Sequence, residues 1–194
     1  MIPQQHRRKA GIVAAACAMA LPCEGVRRVV YYDPPGIPTV CMGHTGKGGV
    51  KGKVYTDAEC QALFTADMGA AVDQVESCQP GLPPKVAIAF ADAVFNMGPT
   101  IACDTQNSTA ARMLTLARVT DGDYSPACRQ LPRWNKARVA GVLVELGGLT
   151  KRRAIEMAVC LQWTQETEAA LQEAYERGHW DGWRKHAQMM GGGL

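Results

Sequence analysis

The segment from 85 to 96 constrains the fold most, because it predicts a helix that is apolar on nearly every side. Its apolar residues include Val86, Ala87, Ile88, Ala89, Phe90, Ala93, Val94 and Phe95. A helix without a broad polar face has to be enclosed by other elements. We therefore expect this helix at the centre of a helical core, separated from the preceding chain by the proline-rich stretch 79–84.

A long amphipathic helix is predicted before it, from about 57 to 77. Thr56 and Glu59 have the spacing of a capping box, in which each side chain binds the other residue's free backbone amide. Apolar residues then recur at steps of three and four, which is typical of a helix with one buried face; they are Cys60, Phe64, Met68, Ala71, Val72 and Val75. Similar patterns predict helices from 107–109 to about 119, from 123 to about 131 and from 149 to 162.

Residues 24–50 are rich in Gly, Pro, Tyr and Val, which favours short strands joined by turns. A small β-rich lobe followed by a larger helical lobe is an α+β arrangement. The chain has 194 residues, which suggests one domain with room for an appendage. Its net charge of +3 is too weak to predict a nucleic-acid partner.

The N-terminus has the order of an export signal. The basic residues Arg7, Arg8 and Lys9 precede an uncharged apolar run of 12 residues from 10 to 21, and Ala18-Met19-Ala20 offers a cleavage site. The run is shorter than the roughly 20 apolar residues of a secure membrane anchor. Because alanine is the best helix former, a buried first helix of the domain is the alternative interpretation.

The chain has eight cysteines, an even number that favours an oxidising compartment. Sequence does not choose among their possible pairings. Cys41 and His44 are three residues apart, but no second pair has ligand spacing, so we predict no metal site.

Three polar residues of the β-rich segment suit the hydrolysis of a glycosidic bond. Glu24 follows the apolar run, and the partly dry surroundings expected there suit a general acid. Asp33 comes nine residues later, and Thr39 lies six residues beyond and is able to hold a water. Such a pair of carboxylates is what this reaction requires, although the spacing alone does not distinguish it from solvated surface charge.

The sequence motifs around these residues resemble those of the phage-type lysozymes, the endolysins of glycoside hydrolase family 24. The shared pattern is Glu24-Gly25, then Asp33, then Thr39, then Gly43-His44-Thr45. Sequence motifs further along the chain are similar as well, and the resemblance extends over about 10–163. These motifs are Phe95-Asn96-Met97-Gly98, Asn107-Ser108-Thr109 with Arg112, Trp134-Asn135, and Gly148-Leu149 before Arg152-Arg153.

This resemblance implies a lysozyme-like α+β fold, two lobes joined by a long helix, and a muramidase without a cofactor. The substrate implied is peptidoglycan, cleaved between N-acetylmuramic acid and N-acetylglucosamine. Glu24 would protonate the glycosidic oxygen, Asp33 would stabilise the transition state or assist the water, and Thr39 would position that water. His44 is expected to be a hydrogen-bonded scaffold residue, and Arg152 to face Glu24. The alternatives are a non-hydrolytic murein-binding or virion structural protein, and a glycosidase for another aminosugar polymer.

Four of the cysteines lie in sequence motifs that resemble those of the signal-anchor-release endolysins of lambdoid phages; they are Cys41, Cys60, Cys128 and Cys160. In that subclass a weakly apolar N-terminal segment exports the enzyme to the periplasm, tethers it to the inner membrane, and later packs into it. Here residues 10–21 abut Glu24 without a glycine-rich spacer, so cleavage after Ala20 is the alternative.

The other four cysteines have no such counterpart. Cys17 and Cys23 bracket the junction before Glu24, where a disulfide would hold that residue in or out of place. Cys78 and Cys103 are candidates for an extra bridge.

We accordingly divide the chain into a basic and anchor segment at 1–23, a catalytic domain at 24–163 and a helical extension at 164–194. The extension contains Trp180 and Trp183 beside basic residues. It is expected either to touch murein or the membrane surface, or to pack back on the domain. We expect the protein to be a monomer.

Overall fold

The structure is a computed structural model that describes residues 4–32, 37–45, 49–120, 122–139 and 141–161. Its helices are α1 (Gln4–Ala20), α2 (Asp57–Cys78), α3 (Pro84–Met97), α4 (Thr100–Cys103), α5 (Thr109–Val119), α6 (Ser125–Cys128) and α7 (Gly147–Leu161). Its strands are β1 (Arg27–Tyr32), β2 (Pro38–Cys41), β3 (His44–Thr45), β4 (Lys136–Val139) and β5 (Val142–Glu145). The predicted α+β class is confirmed, and the C-terminal extension lies outside the described residues.

The central position predicted for the apolar helix is confirmed. Every residue of α3 from Val86 to Val94 is buried. The helix packs against α1, α2 and α7, so that other helices cover it on several sides. It is therefore the element against which the rest of the helical lobe is arranged.

The long helix α2 begins and packs as its sequence pattern predicts. Glu59 N donates to Thr56 Oγ1 at 3.2 Å and Thr56 N donates to Glu59 Oε2 at 2.8 Å, which completes the capping box. The buried residues of the helix are the six that the periodicity selects. With one face of α2 against the core, its N-terminal end lies beside the β-rich lobe.

Three short antiparallel strands form that lobe, in the order β1-β2-β3. Thr39 of β2 pairs with Tyr31 on one side and with Thr45 on the other. The disulfide Cys41–Cys60 links the end of β2 to α2. The sheet is therefore attached to the helical lobe through α2.

The helix predicted from 123 to 131 is wrong in length. Helix α6 covers Ser125–Cys128 alone, and a 3-10 turn follows at Leu131–Arg133. Pro132 has no backbone N–H and cannot continue the hydrogen-bond pattern of a helix, so the chain turns before it. Sequence analysis also missed the short helix α4 and the antiparallel hairpin β4–β5.

Helix α1 contains both the basic residues and most of the apolar run predicted as an export signal. Its apolar side is buried against α2 and α3. At its polar end, Lys9 Nζ lies 2.6 Å from Asp73 Oδ1 and Arg8 Nη1 lies 3.6 Å from Glu76 Oε2, both on α2. Among the described residues, no helix has the length and apolar character needed to cross a membrane.

Three disulfides confirm the expectation of oxidised cysteines, and they include the candidate extra bridge. Besides Cys41–Cys60, Cys78–Cys103 joins the end of α2 to α4, and Cys128–Cys160 joins α6 to α7. Each closes a loop, which stabilises the folded chain chiefly by restricting the unfolded one. Cys17 and Cys23 are free thiols, so no bridge between them holds Glu24 in this structure.

Candidate active site

Glu24 lies at the junction between the helical lobe and the β-rich lobe. Helix α1 ends at Ala20, and the 3-10 turn Leu21–Cys23 follows, with Pro22 in its first positions. Glu24 N donates to Leu21 O at 3.2 Å, which closes the turn. The Glu24 side chain is 17% exposed, so its carboxyl group is partly withdrawn from water without being sealed off.

Arg152 of α7 faces Glu24, as the resemblance implies. Its Nη1 donates to Glu24 Oε1 at 2.5 Å, and its side chain is 5% exposed. The structure thus brings together two residues that are 128 positions apart in sequence.

A second carboxylate holds the same guanidinium. Arg152 Nε donates to Asp92 Oδ2 at 3.0 Å, and Nη2 donates to Asp92 Oδ1 at 2.6 Å. Burial alone would lower the pKa of Arg152, but the hydrogen bonds and charges of Asp92 and Glu24 outweigh burial and raise it. Arg152 is therefore a permanent cation between two carboxyl groups.

Two further buried ionisable residues lie beside this pair on α7. Glu156 Oε1 accepts from Arg153 Nη2, and it lies 3.8 Å from Arg152 Nε. Both side chains are fully buried. Burial raises the pKa of Glu156, and its hydrogen bond and charge interaction with Asp92 raise it further, which favours its neutral form. Arg153 also donates to Asn96 Oδ1 at 3.2 Å.

The other oxygen of Glu24 faces the turn between β2 and β3. Gly43 in this turn has φ of +82°, and a Cβ built on it would lie 3.7 Å from Glu24 Oε2. A side chain here would be strained by the positive φ, and its Cβ would touch the carboxyl group at an ordinary van der Waals distance. One Glu24 oxygen is thus fixed by Arg152, while the other is directed to the boundary of the two lobes.

Of the two other predicted site residues, Thr39 lies among the described residues and Asp33 does not. Thr39 lies on β2 and is buried, and its Oγ1 donates to Ile37 O at 3.1 Å. A hydroxyl that donates one hydrogen bond still has lone pairs with which to accept another from a water. Asp33 follows β1 in sequence and lies outside the described residues.

His44 connects the sheet to the helical lobe. Its Nδ1 lies 2.7 Å from Asp67 Oδ2 on α2, and its side chain is 13% exposed. Its partner is thus a residue of helix α2, which ties the end of the sheet to the helical lobe. Among the described residues, no group of three or more His, Cys, Asp or Glu side chains is arranged to hold a metal ion.

The chain matches the family model of phage lysozyme over residues 22–156. The chain belongs to the phage lysozyme family. The SAR-endolysin of bacteriophage PS119 is 37% identical over 71% of this chain and 76% of its own length. The SAR-endolysin of enterobacteria phage P21 is 36% identical over 74% of this chain and 79% of its own length.

A solved structure agrees with this assignment. The muramidase domain of SpmX from Asticaccaulis excentricus is 25% identical, with a TM-score of 0.64 over 77% of this chain and 96% of that domain. The predictions of a lysozyme fold and of muramidase activity are confirmed, and the non-hydrolytic alternative is not favoured. The substrate of this lysozyme is peptidoglycan.

Sequence reasoning missed the acid that holds Arg152 in this lysozyme. Asp92 is fully buried within α3, whose other residues from Val86 to Val94 are Val, Ala, Ile and Phe. Burying a charge in such a helix is costly unless it is paired, so a lone acid in this position is itself a signal of a buried partner.

The two free thiols near Glu24 give a testable contrast. Cys17 is buried, and burial raises its pKa to about 12. Cys23 is exposed; partial burial raises its pKa as well, with Arg152 opposing and Asp92 and Glu24 adding to the increase. Because the thiolate is the reactive form, we expect an alkylating reagent to label Cys23 and not Cys17 in the folded protein.

The labelling is measured by mass spectrometry of peptides after alkylation at several pH values. We expect Cys23 labelling to increase with pH above the range of an ordinary thiol, and Cys17 to react after unfolding. Equal labelling of both residues in the native protein would contradict the buried position of Cys17.

Proposed function

We propose that Glu24 is the general acid of this lysozyme, acting on the β-1,4 bond between N-acetylmuramic acid and N-acetylglucosamine. The observation that supports this role best is the asymmetric setting of the carboxyl group. Arg152 fixes Oε1, and Oε2 is directed to the boundary of the two lobes beside Gly43. A positioned carboxylic acid in a partly dry setting is what proton donation to a leaving oxygen needs.

In the proposed reaction the bond between the sugar C1 and the glycosidic oxygen breaks as Glu24 transfers its proton to that oxygen. Positive charge develops on the sugar ring, and Asp33 stabilises it or takes a proton from the water that adds to C1. Thr39 holds this water through its hydroxyl group. The water leaves its hydroxyl group on C1 and releases one proton, which returns to Glu24 directly or by way of Asp33 and solvent, so that the reaction consumes one water overall.

The bond specificity is tested on permeabilised Gram-negative cell walls. The purified protein should clear the suspension, and the new reducing ends should be N-acetylmuramic acid. New ends of N-acetylglucosamine would assign cleavage to the other bond of the polymer, and binding without new reducing ends would contradict hydrolysis.

We also propose that residues 10–21 tether the protein transiently to the inner membrane. The SAR-endolysin relatives imply export to the periplasm with an anchoring N-terminal segment. In the folded protein the same residues cover α3 and lead into the turn that carries Glu24. If residues 10–21 remained in the membrane, α3 would lose the helix that covers it on this side, and Glu24 would lose the helix that leads into its turn.

The substitution Ala14→Lys separates the two uses of the segment. Ala14 is half-buried on α1, where a long lysine side chain can reach water, but a charge at the centre of a membrane segment costs about 2.5–3.5 kcal/mol. We expect the purified variant to clear permeabilised walls at nearly the wild-type rate. In cells before lysis, it should be lost from the membrane fraction in which the wild type sediments. Equal membrane association of both proteins would contradict the tether.

A further inference from the structure

The pairing of Asp92 with Arg152 suggests a role in the reaction as well as in the core. Asp92 has no accessible surface, so it contacts neither water nor substrate. Both of its oxygens accept from Arg152, which leaves Nη1 as the guanidinium group that faces Glu24. Because guanidinium is planar, fixing Nε and Nη2 also fixes the direction of Nη1.

The aromatic ring of Phe95 further restricts the orientation of the Arg152 guanidinium group. Arg152 Cζ lies 5.7 Å from the ring centroid of Phe95, one turn along α3 from Asp92. The orientation of Arg152 towards Glu24 is therefore set by α3, although Glu24 itself lies on the segment that follows α1.

The charges around Glu24 also depend on Asp92. The site contains three carboxyl groups and two guanidinium groups within the described residues, so full ionisation would leave one negative charge in excess. The titratable and charged groups around the Arg152–Asp92 pair are Glu24, Arg153, Glu156, Cys17 and Cys23. Both thiols have raised pKa values and are neutral near pH 7, as is Glu156. Asp92 is thus the anion that offsets Arg152.

We propose that Asp92 is a positioning residue, which orients Arg152 towards Glu24 and offsets its charge so that Glu24 retains the proton it must donate. This inference rests on the proposed role of Glu24 as general acid. An unopposed guanidinium at 2.5 Å would favour the ionised carboxylate and withdraw the proton from the reaction. With Asp92 in place, Arg152 supplies a directed hydrogen bond while the net charge of the pair is zero.

The test is the pH dependence of kcat/KM for wild type and Asp92→Asn. Removing the anion while Arg152 remains favours ionised Glu24, so the proton is lost at lower pH. We expect the basic limb of the profile to move by about one pH unit towards acid, equivalent to about a tenfold loss of activity on that limb. Asp73→Asn, which removes an exposed α2 carboxylate paired with Lys9, should leave the limb unchanged.

The double variant Asp92→Asn with Arg152→Gln removes both charges and lets two amides hydrogen-bond in their place. Its basic limb should return to the wild-type position or above it, with lower activity at the optimum. A merely structural role would lower the amplitude of the profiles and the melting temperature without moving the limb. An unchanged limb in folded Asp92→Asn, or equal limbs in the single and double variants, would overturn the proposal.

Two further comparisons keep the test decisive. If Asp92→Asn does not fold, Asp92→Glu and the double variant replace it. A limb displaced by about one unit towards acid in either of them would overturn the proposal, since neither leaves Arg152 unopposed. Glu24→Gln separates the two levels of inference. An active Glu24→Gln protein refutes the general acid itself, whereas an inactive one with an unmoved Asp92→Asn limb refutes Asp92 alone.

Discussion

Replacing Glu24 with Gln is expected to lower muralytic activity by about 10²–10⁴-fold, the usual contribution of a general acid. An amide has no acidic proton to give to the leaving oxygen. Its carbonyl oxygen has the same position as Glu24 Oε1 and can still accept from Arg152 Nη1, so the shape of the site is retained. Activity is measured as the rate of clearing of permeabilised cell walls, and folding as the thermal unfolding transition.

The matched control is Glu76→Gln. Glu76 is a partly exposed carboxylate on α2 that pairs with Arg8, away from Glu24. This variant undergoes the same chemical change and should keep its activity. A Glu24→Gln protein with near-normal activity would refute the role proposed for Glu24. Equal losses in both variants would point to a general effect of removing charge.

Replacing Arg152 with Met is expected to lower the free energy of unfolding by about 3–5 kcal/mol, as is typical when one partner of a buried ion pair is removed. Asp92 has no accessible surface and would lose both of its hydrogen bonds to the guanidinium. Glu24 would lose its partner as well, so activity should fall together with stability. The measurement is urea unfolding, with the change read from the midpoint at constant slope.

Lys9→Met is the control for this substitution. Lys9 pairs with Asp73 at 2.6 Å, but both side chains are about half exposed. Surface pairs of this kind contribute about 0–1 kcal/mol, so the midpoint should change little. Similar costs for the two variants would contradict the view that burial makes Arg152 indispensable to the fold.

Local patterns were sufficient to predict the two main helices of the helical lobe. The capping box at Thr56 and Glu59 specifies where α2 begins, and the apolar periodicity selects its buried face. The apolar run of α3 likewise predicts its central place. The prediction of a helix from 123 to about 131 was wrong, because α6 ends at Cys128 and a 3-10 turn around Pro132 follows, and Pro132 has no N–H to donate to the carbonyl of Cys128.

The candidate site was predictable in part. The resemblance to the family's sequence motifs identified Glu24 and Arg152 as site residues, and the structure brings these two together across 128 residues. No local pattern relates Asp92 to Arg152, which is 60 positions away, because such pairing depends on how α3 and α7 cross. The available signal was a single acid in an otherwise apolar helix, and it indicates the need for a partner without naming it.

The β-rich lobe is attached to α2 at two places. Cys41 is bonded to Cys60, and His44 is hydrogen-bonded to Asp67. Seven residues separate the two positions on α2, which is about two turns or 10 Å along the axis and returns to the same face. Two attachments spaced along one helix keep the sheet from tilting along the helix axis, and they leave rotation about the line that joins them as the motion they do not restrain. A relative movement of the two lobes that kept both contacts would therefore be a hinge-like swing about an axis nearly parallel to α2.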